Sequence, residues 1–267
     1  MSRGRTADVA AGGAGGTTRR TRRARRLGSV LGLLALWTLL TRLELVSPLF
    51  LPSPDRVVSA GIAMWQDGTL QQHVLASLSR IAKGFLIGSV LGVGLGLLVA
   101  EFRTVRRVVT PLVELVRPLP GLAWVPLAIV WFGIGEAGKV FVIAYGTFYP
   151  ALTNTIDGVK GVKPQLVHCA QSLGANRLRV LVQVLLPAAM PSILTGLSIG
   201  MGLAFSFLIA AELVAATTGM GWMIGNARRF FRTDQVVLGM CLIAVFGYAF
   251  ISAIAWVRRY TLRWQER

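Results

Sequence analysis

The run MPSILTGLSIGMGLAFSFLIAAELVAA, residues 190–216, decides the fold class. It holds one charged residue, Glu212, and is longer than the roughly 20 apolar residues a helix needs to cross the ~30 Å hydrocarbon core of a bilayer. Runs of the same kind occur at about Leu27–Leu45, Gly84–Ala100, Leu112–Gly133, Val140–Gly158 and Val236–Val257. Hydrophobic residues make up 54% of the 267 and charged residues only 15%, a mixture too apolar for a soluble domain with an ordinary surface. The sequence therefore predicts an all-α membrane protein of about six transmembrane helices. Residues 1–26 form a basic, disordered tail, and 27–267 form one membrane domain.

The net charge of +17 would suggest nucleic acid in a soluble protein. Here Arg and Lys cluster beside apolar runs rather than among exposed aromatics, so the charge reports topology and no nucleic-acid partner is expected. The Arg-rich tail ends at Arg25 and Arg26, directly before the first apolar run. With that tail in the cytoplasm, the cytoplasmic segments also carry Arg103, Arg106 and Arg107, then Lys160, Lys163, Arg177 and Arg179, then Arg258, Arg259, Arg263 and Arg267. The other side spreads Arg42, Arg56, Arg80, Lys83, Lys139, Arg228, Arg229 and Arg232 over longer loops. Both termini are thus expected inside. Residues 46–83, with Pro48, Pro52 and Pro54, predict an extended turn and an amphipathic helix on the outer face. Gly84, Gly88 and Gly92 give the second span small-xxx-small spacings suited to close helix packing. Pro118, Pro120 and Pro126 interrupt the third span, which then needs protein neighbours for its freed backbone groups. Cys169 and Cys241 form no CxxC pair, and His73 and His168 have no ligand-spaced neighbours, so neither a disulfide framework nor a metal site is implied.

The most informative stretch runs from His168 to Arg177 (HCAQSLGANR) and on to Val184-Leu185-Leu186-Pro187, inside a loop at about 160–189. Leu166 to Leu173 reads as a short helix with Val167, Ala170 and Leu173 on one side, stopped by Gly174, which adopts positive φ without strain. A second amphipathic helix, Arg177 to Leu186, leads back toward the membrane. A short helix held this way can dock into a groove on a partner.

Ala170-x-x-x-Gly174, nine further residues and Val184-x-Leu186-Pro187 resemble the EAA loop of permeases in binding-protein-dependent ABC importers. His168 and Cys169 stand where that motif carries Glu and Ala. The resemblance extends over about residues 45–257, through VSPLFLPSP at 46–54, ELVRPLP at 114–120, AWVPL at 123–127, WFGIG at 131–135, AAEL at 210–213 and GMG at 219–221, to the nitrate, sulfonate and taurine branch, taurine permeases above all. It implies a type I importer permease fold with a cytoplasmic coupling helix that fits a cleft in the ATP-binding subunit. On that basis His168, Cys169, Ala170, Gly174, Ala175, Leu186 and Pro187 are expected to carry coupling. It further implies a permease homodimer in the bacterial inner membrane, two cytoplasmic ATPase subunits that hold the ATP and Mg, and an external solute-binding protein. No cofactor is expected on this chain, and taurine or another alkanesulfonate is the expected solute, with nitrate as the alternative within the family.

Two further sites stand out in or beside the spans. Glu212, late in the fifth span, must face protein or water, because an unpaired acid near the bilayer centre costs on the order of 3 kcal/mol. Glu114 and Arg117 are three apart on a helix and able to pair, and Arg117 and Glu212 are the candidate path or gate residues. The chain has no Gly-x-x-x-x-Gly-Lys-Ser/Thr loop, so energy must come from a partner. An ion-coupled secondary transporter, the rival from another class, would show paired half-repeats with intramembrane acids, and none is visible. No nucleophile, base and third group can be assembled for an enzyme.

Overall fold

A computed structural model describes residue 28, residues 32–43 and residues 45–262. The expected basic tail at 1–26 lies outside the described residues. The described elements are helical: α1 (Gly32–Arg42), α2 (Pro54–Gln66), α3 (Thr69–Glu101), α4 (Arg103–Val116), α5 (Trp124–Phe132), α6 (Glu136–Lys160), α7 (Pro164–Ser172), α8 (Arg177–Val180), α9 (Leu186–Ala215), α10 (Met220–Arg229) and α11 (Thr233–Thr261).

Among the described residues, three helical stretches are long and apolar enough to cross a membrane: Thr69–Glu101, Arg177–Ala215 and Thr233–Thr261. The bent pair Arg103–Val116 and Gly121–Phe132 makes a fourth if counted as one span. This is fewer than six, and the difference has physical sources. Much of the predicted Leu27–Leu45 run is described only as α1. The helix over Glu136–Lys160, with 25 residues, is about 37 Å long but carries Thr147, Thr153, Asn154, Thr155 and Asp157. It tolerates them because it is the central helix, with α3 and α9 packed along it and thirteen of its residues buried. Lipid-facing apolarity is not required of a helix that faces protein.

The α3–α6 contact is built from small residues. Gly84, Gly88, Gly92 and Gly96 form one stripe on α3 and lie against Ile143, Thr147, Ala151 and Thr155 of α6, which share the same four-residue spacing. A side chain at Gly88 would overlap the Ala144 carbonyl oxygen, and a Cβ at Gly92 would stand 2.6 Å from the Phe148 oxygen. The close packing expected from Gly84, Gly88 and Gly92 is therefore present, extended by one turn. α9 packs on α6 as closely, where its Gly196 and Gly200 meet Pro150, Asn154 and Thr147. At the other extreme, α11 buries only Gly239 and presents Met240, Val245, Tyr248, Ile251, Trp256 and Val257 outward, the apolar exterior of a bilayer-facing helix.

Two expectations are corrected here. Residues 69–83 do not form a helix apart from the second span: only α2 is separate, and α3 runs on without a break for about 50 Å. Nothing between Thr69 and Gly84 breaks a helix, whereas Gly68 with φ 81° does turn the chain. Arg80 and Lys139, counted among the outer loop charges, are instead buried at 3% and 6% exposure. The interrupted third span is a helix–turn–helix bent by 89°. Pro118 and Pro120 fall in the turn, where missing N–H groups cost nothing, and Pro126 sits in the first turn of α5, where its amide would be unpaired in any case.

Candidate functional site

The loop from α6 to α9 has the predicted form. Pro164 opens α7, whose end is closed by Gly174 at φ 82°, with Gly174 N–H donating to Gln171 O (2.9 Å) and Ala175 N–H to Ala170 O (3.0 Å). The Asn176 side chain then accepts from Arg179 N–H (2.9 Å) and starts α8. A π-helical turn over Leu181–Leu185 joins α8 to α9 in one continuous run. Pro187 has no N–H to give to the turn before it, and the wider turn is how the helix passes that point unbroken. Ala170, Ala175 and Leu186, with Val167, pack on the buried cluster of Val159, Val180, Leu185, Ala189 and Ile193. His168, Cys169 and Gly174 are exposed. Leu173, grouped with Val167 and Ala170 on one side of the helix by the sequence, turns outward and is 89% exposed, because the chain leaves the helical path at that residue for the Gly174 turn.

At the opposite end of α6 and α9 lies a buried ion cluster. Glu212 is fully buried; its carboxylate accepts from Arg80 Nη1 (2.7 Å), Ser77 Oγ (2.7 and 2.9 Å) and Gly221 N–H (2.8 Å). Arg80 also donates Nε and Nη2 to the two Glu136 oxygens (both 2.7 Å), Nη1 to Thr218 O (2.6 Å) and Nη2 to Thr218 Oγ1 (3.1 Å). Lys139 Nζ completes the set on Glu136 at 3.0 Å. Two acids and two bases thus cancel, and each buried charge has hydrogen-bonding partners. Met220 N–H donates to Ser77 Oγ (2.8 Å) and Gly219 N–H to His73 Nδ1 (3.2 Å), so the turn after α9 is bound to α3. Any side chain at Gly219 would overlap the Glu212 carboxylate. The acid predicted to need protein or water is therefore enclosed by protein. Local spacing does not reveal its side-chain partners Ser77 and Arg80, or Glu136 and His73 beside them, although His73, Ser77 and Arg80 continue the buried stripe of Gly84 to Gly96.

Arg117 lies elsewhere. With Glu114, Tyr149, Thr153, Asp157 and Lys160 it lines a cavity of about 370 Å³ between α4 and α6. Glu114 and Arg117 do not pair as expected: both are exposed, and among the described residues the ion pairs are those of Arg80 and Lys139. An exposed pair is worth about 0–1 kcal/mol, too little to hold two long side chains together. The run Gly133 to Lys139 approaches a phosphate loop in spacing, but it continues with Val140, follows no strand, and buries Lys139 against Glu136.

The model of the family described as "Binding-protein-dependent transport system inner membrane component" matches residues 88–263. The taurine transport system permease protein TauC of Escherichia coli (strain K12) is 42% identical over 233 residues, which cover 85% of this chain and 84% of that protein. A second protein of the same strain, bearing the name of an aliphatic sulfonates transport permease protein SsuC, is 37% identical and covers 85% of this chain and 87% of its own. Among solved structures, an amino acid ABC transporter crystallised with histidines superimposes with a TM-score of 0.60 at 16% identity, covering 75% of this chain and 97% of that one, a likeness of fold.

Proposed function

Given that the chain belongs to the family of binding-protein-dependent transport system inner membrane components, we propose that it carries small sulfonates, taurine foremost, as the transmembrane subunit of an ATP-driven importer. It works as a homodimer in the inner membrane, with both termini in the cytoplasm. Two cytoplasmic subunits hydrolyse ATP, with Mg, and an external binding protein delivers the solute. The importer assignment follows from the family. The named relatives support the solute.

The observation that carries the coupling role is the tip at Leu173. A leucine 89% exposed beside His168 and Cys169, on a helix fixed at its base by Ala170 and Ala175, is a side chain shaped for a partner's groove. Movement of α7 reaches α9 through one continuous helical run from Arg177 to Ala215. That run ends beside Glu212, so the same rod joins the coupling helix to the ion cluster that fastens the outer end of α3, α6 and α9. In this reading Glu212 acts as a gate fastening rather than a solute contact, since its oxygens are already engaged.

The test is ATP-dependent uptake of taurine into vesicles containing this chain, the ATPase subunit and the binding protein. Gly174→Val places a β-branched residue at positive φ, which the left-handed region strongly disfavours, and shifts the whole tip. Uptake and solute-stimulated ATP hydrolysis should fall about tenfold or more while membrane insertion stays normal. Full activity of this variant contradicts the coupling role.

A further inference from the structure

The cavity between α4 and α6 carries two acid–base couples in the same order, Glu114 with Arg117 on one helix and Asp157 with Lys160 on the other. None of these four side chains forms an ion pair or a hydrogen bond to another side chain. We propose that this cavity is a transit site holding a small zwitterion by both ends, an anionic group against Arg117 and Lys160 and an ammonium against Glu114 and Asp157. The inference rests on the importer reading above and supplies the solute contacts which that reading leaves open.

Charge balance decides the class of solute. A cavity with two cations and two anions gives a bare anion as much repulsion as attraction, whereas a solute with opposite charges at its ends uses all four groups. Val99, Val109, Val113 and Ile156 supply an apolar wall for the short chain between those ends. The volume of about 370 Å³ lies at the lower end of the roughly 300–1,000 Å³ usual for small-molecule sites. Other places in the chain fit less well. The ion cluster is closed upon itself, with every Arg80 nitrogen engaged. A groove lined by Ile87, Phe132, Phe141 and Phe148 holds no charged group. At the far end, a polar pocket holds Asp67 and Arg232, but Asp67 is already taken by the Thr69 amide and hydroxyl, which keep its carboxyl below its ordinary pKa. The cavity also sits where occupancy can be felt: Lys160 is the last residue of α6, and α7 begins at Pro164.

The experiment compares uptake of taurine, a zwitterion, with uptake of ethanesulfonate, an anion of similar skeleton, in the complete importer. The same binding protein serves every variant, so its own preference cancels in the ratio. Glu114→Gln with Asp157→Asn should lower the taurine-to-ethanesulfonate ratio about tenfold, the size of one charge-assisted contact. The charge-preserving exchange Glu114→Asp with Asp157→Glu should restore most of it. Arg117→Gln should depress uptake of both solutes. If the double amide variant does not insert, Glu114→Gln alone, at an exposed position, gives the same ratio test. A ratio within about twofold of the unmodified importer in a transporter that works overturns this site and leaves the importer reading intact. Failure of the unmodified importer to take up either sulfonate brings down both.

Discussion

Glu212→Ala should cost about 3 kcal/mol of stability, the lower end of the penalty for breaking a buried ion pair, because Arg80 keeps Glu136. Arg80 is 3% exposed and donates to Glu212, Glu136 and Thr218 at once; with Glu212 gone, Nη1 keeps only a carbonyl, and the Ser77 hydroxyl and Gly221 amide lose their acceptor. The loss should appear as a lower unfolding temperature of the purified permease in detergent. Replacing both partners, Arg80→Met with Glu212→Leu, should recover a large part of it, since two apolar side chains of similar volume leave no charge stranded. Glu136 is exposed and retains Lys139 in that variant. If the losses of Arg80→Met and Glu212→Leu, each measured alone, simply add in the double variant, the two residues are not energetically coupled.

The second large effect is expected at Gly88. Gly88→Val drives a branched side chain into the Ala144 carbonyl and the Thr147 side chain of the central helix. Overpacking normally costs about 1–3 kcal/mol, but here backbone itself is the obstacle, so α3 and α6 must separate along the whole glycine stripe. The amount of folded protein recovered from membranes should collapse. Gly94→Val is the control: Gly94 is exposed, and its Cβ would meet nothing within 4 Å, so that variant should be recovered normally. Equal recovery of the two would mean that the stripe does not govern α3–α6 packing.

These two sites also show what the sequence made legible. The small-xxx-small spacing and the amphipathic helix before Gly174 are local patterns, and both appear, save that Leu173 leaves the side it shares with Val167 and Ala170. Positive charge beside apolar runs misled at Arg80 and Lys139, because a loop charge and a buried, paired charge look alike until the partner is known. The partners lie 56 and 132 positions from Arg80 in the chain, beyond any local spacing. Had the stripe at Gly84 to Gly96 been continued backward, it would have met Arg80, Ser77 and His73 on the same face. The run read as a span at Val140–Gly158 is α6, which carries several polar residues because its neighbours are helices rather than lipid. Short α10, between the fifth and sixth runs, carries too few apolar residues in register to announce itself.

The orientation of α7 decides whether it can meet an ATP-hydrolysing subunit, and the chain supplies its own probe. Cys169 is exposed on α7, and Cys241→Ser would leave it the one cysteine in the protein. A membrane-impermeant maleimide added to intact spheroplasts should leave Cys169 unmodified, and the same reagent should label it in inside-out vesicles. Labelling in the intact spheroplasts would place α7 outside the cell, away from any ATP-hydrolysing subunit, and would contradict the account.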